Sequence, residues 1–205
     1  MPLAIPRPTG LPGQIDKFDV DGPLGAEWIK YGPTTPNWQV ASGKLKELSG
    51  GSQMEALKDF QALDVVVEVD LASVVASGFI LRSAGATGGL LAVVQPSGVN
   101  LFSRASNNVY GSLASLGNGF TTGTLKAVCQ GQALLLYVNN KLIYSSPTIF
   151  ASYNTSAHDH YGLYSYIDAI STRDNFSVRP ILSPRERIVP RAAIVNPRLP
   201  LSTFR

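Results

Sequence analysis

An all-β, two-sheet antiparallel jelly-roll sandwich is what this sequence predicts, and three observations predict it. Apolar residues make up 44% of the 205 residues and charged residues 15%, enough for one sizeable core without a staple. Its 19 Gly and 14 Pro cut the chain into short runs, as many strands joined by tight turns require. Within those runs the apolar residues either alternate with polar ones or occupy every position, the two patterns of half-buried and central strands.

Residues 1–13 read as an extended arm, because Pro2, Pro6, Pro8 and Pro12 prevent a helix and interrupt any strand ladder. Residues 14–178 read as the sandwich. Within it, Val65, Val67, Val69 and Leu71 line one strand face while Asp64, Glu68 and Asp70 share the other. Gly78-Phe79-Ile80-Leu81-Arg82 and Gly89-Leu90-Leu91-Ala92-Val93-Val94 are apolar on both faces, as central strands would be. Gln95-Pro96-Ser97-Gly98 is a turn signal and introduces a strand over residues 99–104. Residues 134–144 form the clearest hairpin, since Asn139 and Asn140 tolerate the positive φ of a tight turn. Further strands are predicted over residues 161–167 and 171–178. The one helical signal is Ser52-Gln53-Met54-Glu55, a capping-box pattern before Ala56-Leu57 that predicts a turn or two of helix.

Residues 179–205 read as a second, basic, proline-rich arm. Six arginines against Glu186 give it +5 of the net +3, leaving −2 for residues 1–178. That asymmetry argues against a nucleic-acid-binding surface on the body. No run approaches the apolar length of a membrane span, and no export signal is visible at the N-terminus. In the second arm Ile181, Leu182, Ile188, Val189, Ile194, Val195 and Leu199 recur between Arg185, Arg187, Arg191 and Arg198. A solvated linker rarely keeps such apolar residues, so all of these are candidate assembly contacts. Cys129, the single cysteine, shares a strand face with Leu125 and Ala127 and is expected to be a buried, inert thiol.

Four ordered segments carry a family resemblance. The first holds Asp16-Lys17-Phe18, Leu24-Gly25-Ala26-Glu27-Trp28 and Asn37-Trp38-Gln39-Val40 with Gly43-Lys44-Leu45. The second holds Asp59-Phe60, the valine-rich run from Val65 and Gly78-Phe79-Ile80-Leu81-Arg82. The third runs from Leu125-Lys126-Ala127-Val128-Cys129-Gln130-Gly131 into Leu136-Tyr137-Val138-Asn139-Asn140-Lys141-Leu142. The last is Gly162-Leu163-Tyr164-Ser165-Tyr166 with Asp174-Asn175-Phe176-Ser177-Val178. Together they resemble the concanavalin A-like lectin/glucanase superfamily, including its laminin-G-like members. The resemblance implies a jelly roll whose first and last strands are neighbours. It leaves function open, because the fold hosts lectins, glycosidases, adhesion modules and viral structural domains.

Glycosidases on this fold use paired carboxylates, and one branch carries Glu-x-Asp-x-x-Glu on a concave strand. Glu68-Val69-Asp70 starts that pattern, but Ser73 and Val74 follow where the second glutamate would stand, so no catalytic residue is expected. Sugar recognition usually pairs aromatic platforms with amides, carboxylates or arginines. Two loops offer both kinds: Arg104, Asn107, Asn108 and Tyr110 in one, Tyr153, Asn154, His158, His160 and Tyr161 in the other. Tyr164 and Tyr166 share a strand face and would add to a concave surface. His158 and His160 flank Asp159, a spacing able to aim two imidazoles at one metal. No cofactor is expected, with calcium at Asp159 admitted by family analogy alone.

The favoured expectation is a structural or adhesion protein of a virion, of the bacteriophage minor-tail or capsid-decoration type. The overall look resembles lectin-like phage tail proteins. Its partners would be other virion proteins or copies of itself, docked through the two arms, and cell-surface carbohydrate at the loops. A free carbohydrate-binding module or lectin is the alternative, and a glycoside hydrolase ranks last for want of its carboxylate pair.

Overall fold

The computed structural model describes residues 14–32, 37–48, 53–106, 109–166 and 170–181. In chain order the strands begin with β1 (Gln14–Asp16), β2 (Gly22–Pro23), β3 (Ile29–Tyr31), β4 (Trp38–Ala41) and β5 (Lys44–Glu47). They continue with β6 (Gln53–Asp59), β7 (Val65–Ala72), β8 (Ser77–Ser83), β9 (Leu90–Gln95), β10 (Gly98–Ser106) and β11 (Val109–Leu116). The last are β12 (Thr122–Gln130), β13 (Ala133–Val138), β14 (Lys141–Ser146), β15 (His160–Tyr166) and β16 (Thr172–Pro180). One sheet has the order β14-β13-β12-β7-β16-β5-β4-β2, with β1 beside β16, and the other the order β11-β10-β9-β8-β15-β6-β3. Every pairing is antiparallel.

The sheets stack because alternate side chains of both are apolar and must leave water together. Val65, Val67, Val69 and Leu71 of β7 face Phe79 and Leu81 of β8 and Leu90, Ala92 and Val94 of β9 in one buried cluster. Trp28, Trp38, Phe79 and Phe176 all lie in it. Trp28 and Phe176 meet with ring centroids 5.6 Å apart, and the Arg173 guanidinium lies over the Trp38 ring at 5.0 Å. Cys129 is fully buried in the same core, and burial pushes its thiol up to about 12.

β1 pairs with β16, so the first and last described strands are neighbours, as the resemblance implies. The turn between β13 and β14 is Asn139-Asn140, with φ of +48° and +63°, the conformation a two-residue hairpin turn demands.

The capping-box expectation is overturned. Gln53, Met54, Glu55, Ala56 and Leu57 lie in β6, paired on one side with β15 and on the other with β3. Met54 and Ala56 point into the core while Glu55 and Leu57 face outward, a period of two that a helix cannot provide. A capping box is a local signal, and here two tertiary ladders outweigh it.

The seven-stranded sheet is apolar on its outer face as well. Leu57, Ala76, Ile80, Leu91, Val93 and Tyr164 form a second buried cluster there, with Tyr31, Phe102 and Tyr110 packed against it. An outward sheet face is usually wet and polar. This one carries a buried apolar layer instead.

Candidate functional site

The outer face of the seven-stranded sheet is organised by a buried ion pair. Strand alternation places Glu55 of β6 and Arg104 of β10 on that face, and both are 0% exposed. Arg104 Nε donates to Glu55 Oε1 at 2.9 Å and Nη2 donates to Oε2 at 2.6 Å, a bidentate fork. Arg104 Nη1 donates to Ser83 Oγ at 3.0 Å and to the Gly88 carbonyl at 3.1 Å. Ser83 reaches that position because β8 carries an irregularity. Arg82 has φ +49°, and the register with β15 shifts at this point. The Arg82 guanidinium is thereby sent elsewhere, to the Leu63 carbonyl at 3.0 Å, Asp64 Oδ1 at 3.3 Å and the face of the Phe150 ring at 4.5 Å.

The sequence reading counted Arg104 among the sugar ligands of a loop at the end of this strand. The structure corrects this: Arg104 lies within β10, is fully buried, and its charge is spent on Glu55. Asn107 and Asn108, expected beside it, lie outside the described residues.

Tyr110, opposite Arg104 on β11, donates its hydroxyl hydrogen to Glu55 Oε1. Burial, reinforced by the Glu55 charge, pushes its phenol far above the ordinary value, and burial does the same to Tyr164. Both rings therefore stay neutral throughout the physiological range. The Tyr110 ring meets Tyr164 edge-on with centroids 5.8 Å apart, and Phe102 at 6.4 Å.

Beside this aromatic cluster lies an open cavity of about 380 Å³. Leu91, Val93 and Phe102 supply its apolar surface, Tyr110, Tyr164 and Tyr166 its phenols, and Gln53, Gln95 and Asn100 its amides. Asn100 Nδ2 donates to Gln95 Oε1 at 3.3 Å, which orients both amides. Of the described binding candidates only Tyr110 lines the cavity, joined by Tyr164 and Tyr166 as the shared strand face predicted. The three amides were missed. For Asn100 the signal was the alternation itself: Asn100, Phe102 and Arg104 alternate with the buried Val99 and Leu101.

Tyr161 is corrected outright. It sits on the opposite face of β15, is 0% exposed in the main core, and donates to the Leu63 carbonyl at 3.0 Å. The rest of its segment gathers at the end of the sheet, away from the cavity lining. Asn154 Oδ1 accepts from Arg82 Nη1 at 2.9 Å, and Tyr153 packs edge-on against His158 at 5.6 Å. Partial burial and then the Arg82 charge lower the His158 pKa, so this imidazole is neutral at pH 7.

The two histidines do not converge on one point. His158 Nδ1 lies 2.7 Å from the Thr155 hydroxyl, whereas His160 Nδ1 lies 3.0 Å from Asp159 Oδ1. His160 instead groups with Asp159 and with Asp59, its register partner on β6, their ligand atoms all within 4.8 Å of one another. Two carboxylates and an imidazole fall short of the roughly six to eight oxygens that calcium takes. Asp59 Oδ1 also already accepts the Gln61 N–H at 2.8 Å.

Glu68 and Asp70, the start of the glucanase-like pattern, lie on β7 in the other sheet. Asp70 accepts from the Thr124 hydroxyl at 2.6 Å and from Asn175 Nδ2 at 2.9 Å, a structural use of the carboxylate. Of the arm residues expected to make assembly contacts, only Ile181 is described. It is half-buried, and its N–H donates to the Asp64 carbonyl at 3.1 Å, continuing from β16 along the body. Leu182, Arg185, Arg187, Ile188, Val189, Arg191, Ile194, Val195, Arg198 and Leu199 lie outside the described residues, so the virion expectation stands on sequence alone.

No protein-family model and no curated protein matches the sequence. Solved structures do match in shape. A carbohydrate-binding module, CBM66 from Bacillus subtilis, superposes with a TM-score of 0.59 at 18% identity, over 75% of this chain and 95% of that one. A variant of LamA from Zobellia galactanivorans, in complex with laminaritriose and laminaritetraose, gives 0.55 at 12% identity over 84% and 99%. A Bacillus subtilis protein of unknown function with a galectin-like fold gives 0.56 at 9% identity over 75% and 89%.

The fold is a concanavalin A-like jelly roll.

At these identities the likeness carries the fold and nothing finer, so the role of this jelly roll rests on its own surface.

Proposed function

We propose that this protein is a carbohydrate-binding, lectin-like module whose site is the cavity on the outer face of the seven-stranded sheet. One observation carries the reading: three tyrosines and three amides converge on one open cavity over an apolar floor. A pyranose or furanose has faces of C–H groups and a rim of hydroxyls. Ring faces suit the first and amides, which both donate and accept, suit the second. A carbohydrate-binding module and a LamA variant in complex with laminaritriose and laminaritetraose among the shape neighbours support a sugar as the ligand class.

The proposed role is binding without hydrolysis. Glycoside cleavage needs two carboxylates astride the bond, and no carboxylate lines the cavity among the described residues. Glu55, bonded to the lining Tyr110, has both oxygens engaged by Arg104 and one of them also by Tyr110. Such a group is poorly placed to trade protons with a substrate.

The test is a glycan array followed by titration of the strongest hit. Tyr166→Ala removes the most exposed ring, 39% accessible, with little risk to the core, and is expected to weaken binding at least tenfold. Asn100→Ala should weaken it less. Binding that ignores both substitutions would place the sugar elsewhere and refute this site.

A further inference from the structure

We infer that the cavity selects uncharged sugars and rejects acidic ones such as uronates and sialylated glycans, an inference that rests on the carbohydrate reading above. Its lining decides the matter. Gln53, Gln95 and Asn100 are neutral amides, Tyr110, Tyr164 and Tyr166 are neutral phenols, and no described lining residue carries a charge. Among the described residues, the cation bonded into the site's surroundings is Arg104, which is 0% exposed, forks onto Glu55 and directs two further donors at Ser83 and Gly88. Its charge is buried and paired, so it presents no exposed cation to a ligand carboxylate.

An anion entering the cavity would exchange water for phenol and amide dipoles without meeting a counter-charge, and would face the nearby Glu55 carboxylate as well. Lectin sites that take acidic sugars need an exposed basic group or a bound cation to offset that desolvation. Among the described residues, this site instead keeps Arg104 buried and paired with Glu55. A hydroxyl, by contrast, exchanges its hydrogen bonds to water for equivalent bonds to amides at little cost. The lining is also too well supplied with amides to be a simple aromatic cage for an organic cation, which would leave Gln53, Gln95 and Asn100 without a task.

The experiment compares matched ligands on the full-length protein. A neutral oligosaccharide found on the array is titrated beside its derivative in which the primary alcohol has been oxidised to a carboxylate. Oxidation is expected to weaken binding at least roughly tenfold, and affinity for the neutral form should hardly change between about 50 and 500 mM salt. Hits confined to acidic glycans, tighter binding after oxidation, or a steep salt dependence would overturn the selectivity while leaving a carbohydrate site in place. Absence of any glycan hit, or binding of choline in preference to sugars, would overturn the carbohydrate reading and this inference with it.

Discussion

Arg104 and Glu55 have both left water entirely, so each depends on the other for the solvation it has lost. Replacing Arg104 by Ala leaves a buried carboxylate with only the Tyr110 hydroxyl, and should cost about 3–5 kcal/mol in urea unfolding. Replacing the pair together with Met at 104 and Leu at 55 should cost far less than the sum of the single changes, because no charge is then stranded. Tyr110→Phe removes one charged-acceptor bond and should cost about 1–3 kcal/mol, with a loosened ring and weaker sugar binding. Cys129 offers a separate test. Its folded pKa is about 12 against an ordinary 9.0, so the unfolded chain gives up the proton first as pH climbs. The stability tied to this thiol is whole below pH 9 and is lost as pH rises toward 12. In the native state the thiol should not react with Ellman's reagent, and it should react promptly in denaturant.

Two strand-level features hold the sheets in shape, one in each. The β13–β14 turn needs positive φ at both Asn139 and Asn140, and the Asn139 side-chain oxygen also accepts the Thr124 N–H at 2.9 Å, tying the turn to β12. Asn140→Val should therefore destabilise by about 1–2 kcal/mol, seen as a drop in Tm, whereas Asn140→Gly should be tolerated. Gly162 lies in β15 between β6 and β8, and a Cβ there would sit 2.0 Å from the Ala56 carbonyl oxygen. Gly162→Ala must push β6 away from β15, shifting Glu55 and Gln53 with it. Its expected signature is lower stability, together with a loss of sugar affinity that a purely distant destabilisation would not produce.

For the molecule as a whole, every residue assigned to the cavity falls between Gln53 and Tyr166. Removing residues 182–205 should thus leave glycan binding unchanged in titration. Loss of binding would show that the basic arm takes part in the site. If the protein serves in a larger particle, the same truncation separates the two roles: docking would fail while sugar binding survives. The shape neighbours span nearly their whole length on the jelly roll, so this body is the part held in common with them.

Most of the strands, the buried cysteine and the Asn-Asn hairpin were legible in the sequence, because each depends on a period of two or on the φ preference of single residues. The tyrosine pair of β15 was legible for the same reason. Arg104 and Tyr161 were misplaced, since a polar or aromatic residue near a loop-like Ser-Asn-Asn or His-Asp-His run gives no sign of which face it takes. Glu55 was misread within a helix signal. What only the tertiary structure decided is how β11, β10, β9, β8, β15 and β6 lie side by side. The Glu55–Arg104 pair spans 49 residues and Glu55–Tyr110 spans 55. Local patterns state that a strand has a mixed face, but antiparallel register across the sheet determines which mixed faces share one cavity, and that register is set by the packing of the whole core.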